Sequence, residues 1–233
     1  MKIAIMQPYF LPYIGYFQLM NAVNEFVVYD NIEFTKKGWI NRNKILVNGK
    51  SSYITIPLKK DSDYLDVKDR YLSDNWYKGK NKMLNKIVEN YRVAPYFNEV
   101  FPVIEKCISF EESNLFKFLL YSLYKIKNYI NIPTSVITSS IIPVDPSLKA
   151  EKKVIDICKK RNAKQYLNPI GGKQLYNKNE FKNAGIELYF LQTNNINYNQ
   201  INNEFVPWLS IIDVMMFNSK EKIDDILNLY ELT

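Results

Sequence analysis

The 233-residue chain contains no histidine, and this is its most informative absence. Without histidine the chain can form neither a Ser-His-Asp triad nor a Cys-His pair, and it cannot hold a metal through imidazole. Any proton transfer must therefore use Asp, Glu, Lys, Tyr or a group of the substrate. We expect no His-based metal site and no hydrolase of these classes.

Cysteine is scarce, and long apolar runs are missing. The two cysteines, Cys107 and Cys158, lie in helix-like segments and show no metal-binding or redox spacing. No apolar run approaches the roughly 20 residues that span a bilayer. The first five residues lead directly into a polar residue and two prolines, unlike a signal peptide. We expect a cytoplasmic protein with no membrane span.

The composition that remains is that of an ordinary globular protein, with 47% hydrophobic and 24% charged residues. The net charge is +7, but the lysines are scattered through amphipathic segments. Two interpretations stay open. The charge is either a solvated basic surface or the mark of a protein that binds phosphate-bearing ligands.

The chain begins with a βαβ pattern. Residues 3–6 and 25–30 are short apolar runs typical of buried strands, and residues 16–23 have helical spacing between them. Such a unit predicts a parallel strand pair. Because ligands gather at the carboxyl ends of parallel strands, we expect Gln7 and Asp30 at the ligand-binding edge.

The remaining chain predicts an α/β fold, a HUP/Rossmann-like parallel sheet with a helical insertion or subdomain. Asn48-Gly49 between two apolar runs predicts a hairpin of residues 44–47 and 53–58. A single domain is expected, with an α/β part at about 1–60 and 134–233 and a helical part at about 75–132. Further elements are predicted as helices at 76–91, 96–108, 113–129, 150–161 and 210–217, strands at 135–138, 165–167 and 186–191, and a surface loop or lid at 193–203.

The first candidate site is the segment that follows the first strand. A strand, a proline-containing loop and a glycine at the head of a helix together direct backbone N–H groups and the helix dipole toward an anion. HUP nucleotide-binding folds carry a histidine-glycine-histidine signature at this point, and the sequence here is Tyr13-Ile14-Gly15-Tyr16. The alternative is an aromatic turn that packs a helix on the sheet. The candidate ligand-binding residues are Gln7, Pro8, Tyr9, Tyr13, Gly15 and Tyr16.

The second candidate site is the basic segment 36–44. An arginine binds phosphate or carboxylate with a two-pronged fork, asparagine amides select sugar or amide groups, and a tryptophan offers a stacking face. The alternative is a basic loop that leads into the hairpin. The candidates in this segment are Trp39, Asn41, Arg42, Asn43 and Lys44.

Two further segments carry candidate residues. Asn168 precedes the adjacent Gly171 and Gly172, and a glycine pair at a strand's carboxyl end suits either a phosphate contact or an ordinary turn. Ser210 begins a Ser-x-x-Asp capping box that ends at Asp213, which suits either a structural helix cap or a phosphate-binding helix end. The polar run containing Asp61, Asp63, Asp66 and Asp69 is interpreted as solvated, and no metal site is predicted.

These segments together resemble the WbqC-like protein family along essentially the whole chain. The matching stretches are residues 6–17, 39–43, 170–172 with 175–176, and 209–218. The resemblance implies a bacterial protein of surface-polysaccharide (O-antigen, lipopolysaccharide) gene clusters, associated with unusual and often amino-bearing sugars. It implies no established catalytic residues.

The sequence therefore favours an enzyme that acylates or aminoacylates an amino sugar, held as its sugar nucleotide. Asp30 is the candidate general base for the sugar amine, and Arg42 with Lys44 would stabilise developing negative charge. If ATP or another nucleotide activates the acyl group, the turn at residues 13–16 and Ser210 would hold its phosphates. Aminoacyl-tRNA stays open as a donor. The alternatives are a non-catalytic accessory protein that binds a sugar nucleotide and, with less support, a glycosyltransferase.

Overall fold

The fold is built on a six-stranded sheet. The computed structural model describes residues 1–62, 64–201 and 204–233. The strands of the sheet are β1 (Lys2–Met6), β2 (Glu25–Val28), β5 (Ser135–Thr138), β6 (Gln165–Pro169), β7 (Glu187–Thr193) and β8 (Tyr230–Leu232). A separate two-stranded hairpin consists of β3 (Arg42–Val47) and β4 (Lys50–Thr55).

The strand order of the sheet is β5-β2-β1-β6-β7-β8. All neighbouring strands pair in parallel except β7 and β8, which pair antiparallel. The chain extends the sheet from β1 to one side and then returns to extend it from β1 to the other side. The direction of strand addition therefore reverses between β1 and β6, as in Rossmann-like folds. This confirms the predicted α/β class and the parallel pairing of β1 with β2.

Helices cover both faces of the sheet, and the side chains of the strands alternate between them. Ile3 and Ile5 of β1 belong to one buried cluster, together with Ile157 of helix α5. Ala4, between them, belongs to the other cluster, which also includes Phe17 of α1. The helices are α1 (Ile14–Asn21), α2 (Asn75–Tyr91), α3 (Phe97–Ile108), α4 (Leu115–Tyr129), α5 (Ala150–Lys160), α6 (Lys178–Asn183), α7 (Ile211–Phe217) and α8 (Lys220–Leu227).

The hairpin confirms the prediction made from Asn48-Gly49. Val47 pairs with Lys50, which leaves these two residues as the whole turn. Their φ angles are 49° and 74°, both in the left-handed region that a two-residue hairpin turn of this kind requires. Strand β4 starts at Lys50 rather than at the predicted residue 53, because backbone pairing resumes directly after the turn although its first residues are polar.

Helices α2, α3 and α4 form the predicted helical stretch, and each end lies within two residues of its prediction. Helix α3 packs against α4 and also against α7. One buried apolar cluster runs from these helices through the hairpin to the sheet. The helical stretch therefore packs directly against the part of the chain that carries the candidate site.

Candidate functional site

A cavity of about 500 Å³ opens at the carboxyl ends of β1, β6 and β7. This is where the strand order reverses, the position at which open α/β sheets bind their ligands. Its size is within the range of small-molecule sites. The lining is mostly apolar and aromatic, and consists of Met6, Tyr9, Pro12, Tyr13, Gly15, Tyr16, Trp39, Asn43, Pro169, Ile170, Leu191, Gln192, Thr193 and Trp208.

The segment after β1 forms an aromatic wall of this cavity. The hydroxyl of Tyr16 donates to the backbone oxygen of Gln7 at 3.0 Å, and the hydroxyl of Tyr9 donates to the Gln7 side chain at 3.3 Å. The rings of Tyr9 and Tyr16 lie 5.7 Å apart. The Tyr16 ring also packs edge-on against Phe26 of β2, at 5.2 Å. The two tyrosines therefore pack the turn onto the sheet and line the cavity at the same time.

The cavity tyrosines are neutral hydrogen-bonding groups. Burial raises the pKa of Tyr9 and Tyr13 above the ordinary tyrosine value. Burial, with a smaller contribution from Tyr9, raises the pKa of Tyr16 well above that value. These phenols stay protonated at neutral pH, so none of them is a phenolate base there. The hydroxyls of Tyr9 and Tyr16 already donate to Gln7, and their oxygens remain as hydrogen-bond acceptors.

Gly15 leaves room for the cavity at the start of α1. A Cβ atom at this position would lie 2.8 Å from Thr193 Oγ1 and 2.8 Å from the Tyr13 ring. Thr193 is held in place, because its hydroxyl donates to Gln18 Oε1 at 2.7 Å. Any larger residue at position 15 would therefore displace a cavity-lining side chain.

Trp39 connects the cavity to a cationic and aromatic patch on the hairpin. Its ring stacks on Tyr53 with centroids 6.3 Å apart. The Lys44 Nζ lies 5.9 Å from the Trp39 ring and 5.3 Å from the Tyr53 ring, and the Arg42 guanidinium lies 4.7 Å from the Tyr53 ring. Arg42 also donates to the backbone oxygens of Lys37 and Gly38. The positive charges predicted at Arg42 and Lys44 thus lie beside Trp39.

Two of the predicted binding residues anchor the turn after β1. The Asn43 amide donates to the backbone oxygens of Phe10 and Leu11, at 3.0 and 2.8 Å. The Ser210 hydroxyl donates to the Leu11 oxygen at 2.7 Å. Leu11 has a φ of 42°, in the left-handed region. These bonds hold an unfavourable backbone conformation that shapes the cavity.

Asp213 is a fully buried carboxylate that anchors the loop before α7. It accepts hydrogen bonds from the Tyr91 hydroxyl at 2.9 Å, the Tyr198 hydroxyl at 2.7 Å and the Gln200 amide at 2.7 Å. Gln200 in turn bonds to the backbone of Val206. Burial raises the pKa of Asp213, although its three donors lower it. This network fixes the chain that carries Trp208.

The predicted capping box is only half formed. The Ser210 hydroxyl does cap α7, accepting from the Ile212 N–H at 3.3 Å. The Asp213 carboxylate does not return to the Ser210 N–H, which donates to the Lys44 oxygen instead. The prediction of the reciprocal bond is wrong because the tyrosine and glutamine donors compete successfully for the carboxylate.

The glycine pair after β6 has one constrained member. A Cβ atom at Gly172 would lie 1.9 Å from Asn168 Nδ2, whereas a Cβ atom at Gly171 would meet nothing within 4 Å. Asn168 is buried, and its Oδ1 accepts from the Tyr166 hydroxyl at 3.1 Å. Gly172 therefore accommodates the Asn168 side chain, while the position of Gly171 is open.

Asp30 lies beyond the carboxyl end of β2, on the other side of β1 from β6 and β7. Its Oδ1 accepts from the Ser139 hydroxyl at 2.7 Å and from the Ser140 N–H at 2.9 Å. The residue is 3% exposed. Within the described residues it does not line the aromatic cavity, and its Oδ2 accepts no hydrogen bond. Its assignment as a general base stays a prediction.

The cavity thus gathers six of the predicted residues: Tyr9, Tyr13, Gly15, Tyr16, Trp39 and Asn43. Gln7, Ser210 and Asp213 support its walls through their hydrogen bonds, and Pro8, Asn41 and Gly171 lie outside its lining. Sequence reasoning missed Gln192, Thr193 and Trp208. Thr193 ends a strand at the ligand-binding edge, so the rule that placed Gln7 there could have found it.

Two other predictions fall partly outside the described residues. Asp63 of the acidic run and residues 202 and 203 of the predicted loop or lid are not described. Among the residues that are described, no group of three or more carboxylates or thiols is arranged to hold a metal ion. Likewise, none of the described helices is long and apolar enough to cross a bilayer.

Comparison with known proteins identifies relatives of the chain. The model of the WbqC-like protein family matches residues 7–225. A Mycobacterium tuberculosis protein named "Uncharacterized protein Rv1507c" is 26% identical over 230 residues, which cover 97% of each chain. No solved structure matches.

Proposed function

This chain belongs to the WbqC-like protein family, and we propose that it acylates or aminoacylates an amino sugar carried on a nucleotide. The observation that carries the proposal is the aromatic cavity at the reversal of strand order. Trp39 and Trp208 offer stacking faces for a base or sugar ring, and the oxygens of the neutral tyrosine hydroxyls offer hydrogen-bonding groups. The surface-polysaccharide context implied by the resemblance supports an amino-sugar acceptor.

The patch beside Trp39 supplies the charge that this ligand needs. A sugar nucleotide carries a diphosphate, and Lys44 and Arg42 bring two cations to the rings of Trp39 and Tyr53. A tryptophan with a lysine beside it can bind a ring and an adjacent phosphate together. We therefore assign the phosphates to the Lys44 side of the cavity.

In the proposed reaction the sugar amine attacks the carbonyl carbon of an activated acyl donor. A C–N bond forms, the bond from the carbonyl carbon to the donor's leaving group breaks, and the amine loses one proton. Asp30 is the proposed acceptor of that proton, through its Oδ2. Because Asp30 follows β2 and is not among the described residues that line the cavity, this role requires the sugar amine to extend past the end of β1. Lys44 and Arg42 would stabilise negative charge on the leaving group. The donor is a nucleotide-activated acyl group, an acyl-CoA or an aminoacyl-tRNA.

The experiment is to incubate the protein with nucleotide-linked 4-amino sugars and a donor panel of ATP with amino acids, acyl-CoA and aminoacyl-tRNA. Mass spectrometry should detect an amide whose mass exceeds that of the sugar nucleotide by the acyl group less one hydrogen. Lys44→Ala should reduce the yield, whereas Lys50→Ala, on the same hairpin, should leave it unchanged. The absence of a coupled product with every donor would overturn the proposed reaction.

One observation favours the alternative of a non-catalytic binding protein. Among the described residues, the cavity lining includes no carboxylate, amine or thiol. A site that only recognises a sugar nucleotide needs none of these groups. Calorimetry showing tight binding of the sugar nucleotide, together with no product across the donor panel, would establish this alternative.

A further inference from the structure

A second pocket, of about 600 Å³, is lined in part by the same segment, residues 39–43, that contributes to the aromatic cavity. Trp39 and Asn43 line the cavity, while Asn41 between them lines this pocket. Most of the remaining lining comes from the chain after the hairpin, which contributes the basic residues Lys59, Lys60 and Arg70.

Arg70 is a buried cation with no carboxylate partner among the described residues. It is 5% exposed, yet it forms no ion pair among the described residues. Its terminal nitrogens donate to the backbone oxygens of Ser62 at 2.7 Å and Lys59 at 3.5 Å, and its guanidinium lies 4.9 Å from the Phe34 ring. Its Nε has no hydrogen-bond partner within the described chain. Buried guanidinium groups are normally neutralised by an anion, so this one is left electrostatically incomplete.

The two lysines of the pocket add to this positive charge. Lys59 lies 3.3 Å from Asp74, but both side chains are more than half exposed, so this pair is weak. Lys60 is exposed and makes no ion pair within the described chain. The carboxylate of Asp61 also lines the pocket, where it accepts from the Ser62 N–H. Cations therefore outnumber carboxylates among these residues.

We infer that this pocket is a second ligand site, which binds the phosphate or diphosphate group of a small molecule. A dianion matches several converging cations better than a single carboxylate does. The guanidinium of Arg70 would lie beneath the bound anion and neutralise it, with Lys59 and Lys60 at the rim. The apolar side chains of Phe34 and Leu58, which line the pocket, would contact the group that the phosphate carries.

The test uses inorganic pyrophosphate as the probe, titrated into the full chain by isothermal calorimetry at low ionic strength. Pyrophosphate should bind, and Lys60→Ala should weaken its affinity by about threefold to tenfold. Arg70→Met should weaken it by about tenfold or more, because it removes the buried charge. Lys182→Ala on helix α6, which removes one exposed charge elsewhere, is the matched control and should change the affinity by less than about twofold.

Three outcomes would overturn the inference. They are no pyrophosphate binding by the wild-type chain, equal weakening by Lys60→Ala and Lys182→Ala, or unchanged affinity in a folded Arg70→Met variant. If circular dichroism shows that Arg70→Met does not fold, Lys60→Ala with its control decides the question. This test is independent of acyl transfer, since pyrophosphate binding here can succeed or fail whatever products the donor panel yields.

Discussion

The two sides of β1 differ at the same edge of the sheet. On the side of β6 and β7 the strand ends border an open aromatic cavity. On the side of β2 and β5 the serines that follow β5 donate to Asp30 and close the edge with hydrogen bonds. An acid at a strand end is therefore not by itself a sign of an open site. The neighbouring residues decide whether it faces a ligand or holds two strands together.

The largest loss of stability is expected when the hydrogen-bond network around Asp213 is broken. Asp213→Ala would leave the buried hydroxyl of Tyr91 and the donors of Tyr198 and Gln200 without their acceptor. Because each unsatisfied buried donor is costly, the free energy of unfolding should fall by about 3 kcal/mol or more. Urea denaturation followed by circular dichroism measures this. A loss below about 1 kcal/mol would show that the loop does not depend on Asp213.

The same carboxylate, Asp213, is expected to make the free energy of unfolding depend on pH. Burial raises the pKa of Asp213, so the folded state keeps this proton at pH values where the unfolded chain has lost it. The contribution of Asp213 to stability is therefore greatest in acid and declines as pH rises from the ordinary value of 3.8 through the raised folded pKa. In Asp213→Asn this decline should vanish, as denaturation at a series of pH values would show. A wild-type minus variant difference that is constant with pH would contradict it.

On the β2 side of the sheet, two substitutions at Asp30 distinguish a structural role from a catalytic one. Asp30→Ala should lower the free energy of unfolding by about 1–2 kcal/mol, because the Ser140 N–H loses its acceptor while the Ser139 hydroxyl keeps only Asn31 Oδ1. Asp30→Asn keeps an acceptor oxygen and should cost less. If Asp30 is also the proposed base, Asp30→Asn should abolish amide formation while the fold persists. Full activity in Asp30→Asn would restrict Asp30 to its structural role.

A smaller loss of stability is expected at Gly172 of the glycine pair after β6, and Gly171 provides its control. Gly172→Ala forces the buried Asn168 side chain to move and should lower the free energy of unfolding by about 1–2 kcal/mol. Gly171→Ala introduces the same methyl group where nothing lies within 4 Å, and should change it by less than about 0.5 kcal/mol. Thermal unfolding of both variants compares them directly. Equal effects would show that the closeness of Asn168 to Gly172 does not matter.

A small effect on stability and a larger effect on ligand binding are expected at Trp208, which lines the cavity. Trp208 is 65% exposed and packs on Tyr13 with ring centroids 5.2 Å apart. Trp208→Ala should change the free energy of unfolding by less than about 1 kcal/mol, yet weaken binding of a nucleotide-linked 4-amino sugar by about tenfold through lost stacking. Calorimetry measures the affinity, with Tyr64→Ala, an exposed aromatic outside the cavity lining, as the control. Equal affinity in both variants would remove Trp208 from the site.

Much of the fold could be predicted from the sequence. The continuous burial of the apolar residues Ile3 to Ile5 in β1, the positive φ angles at Asn48-Gly49 and the apolar faces of α2 to α4 are consequences of local chemistry. The short antiparallel β8 and helix α6 escaped the prediction, while α8 lies within the final helical region that residues 210–217 were predicted to open. Strand β8 is three residues long and only its pairing with β7 makes it a strand, so its own sequence holds too weak a signal.

Part of the candidate site could also be predicted from the sequence, because its position depends on where the first strand ends. The rule that ligands gather at the carboxyl ends of parallel strands placed the segment of residues 7–16 correctly at that edge. It could not say which strand ends would share a cavity, because that depends on the order of the strands and on the loops that cover them. It also gave no sign that Arg70 is buried beside two lysines, because that arrangement depends on how the chain after the hairpin folds back.

The α/β class, the parallel βαβ start, the hairpin and the exclusion of histidine chemistry follow from the residues alone, because each depends on residue type or short-range spacing. Three features follow only from how the chain folds: which aromatic residues enclose a cavity, which carboxylate is bound by tyrosines, and which arginine is buried without an ion pair among the described residues. The physical reason is that burial, ring contacts and hydrogen-bond partners join residues far apart in the chain, such as Tyr91 with Asp213. Local patterns carry no record of those contacts.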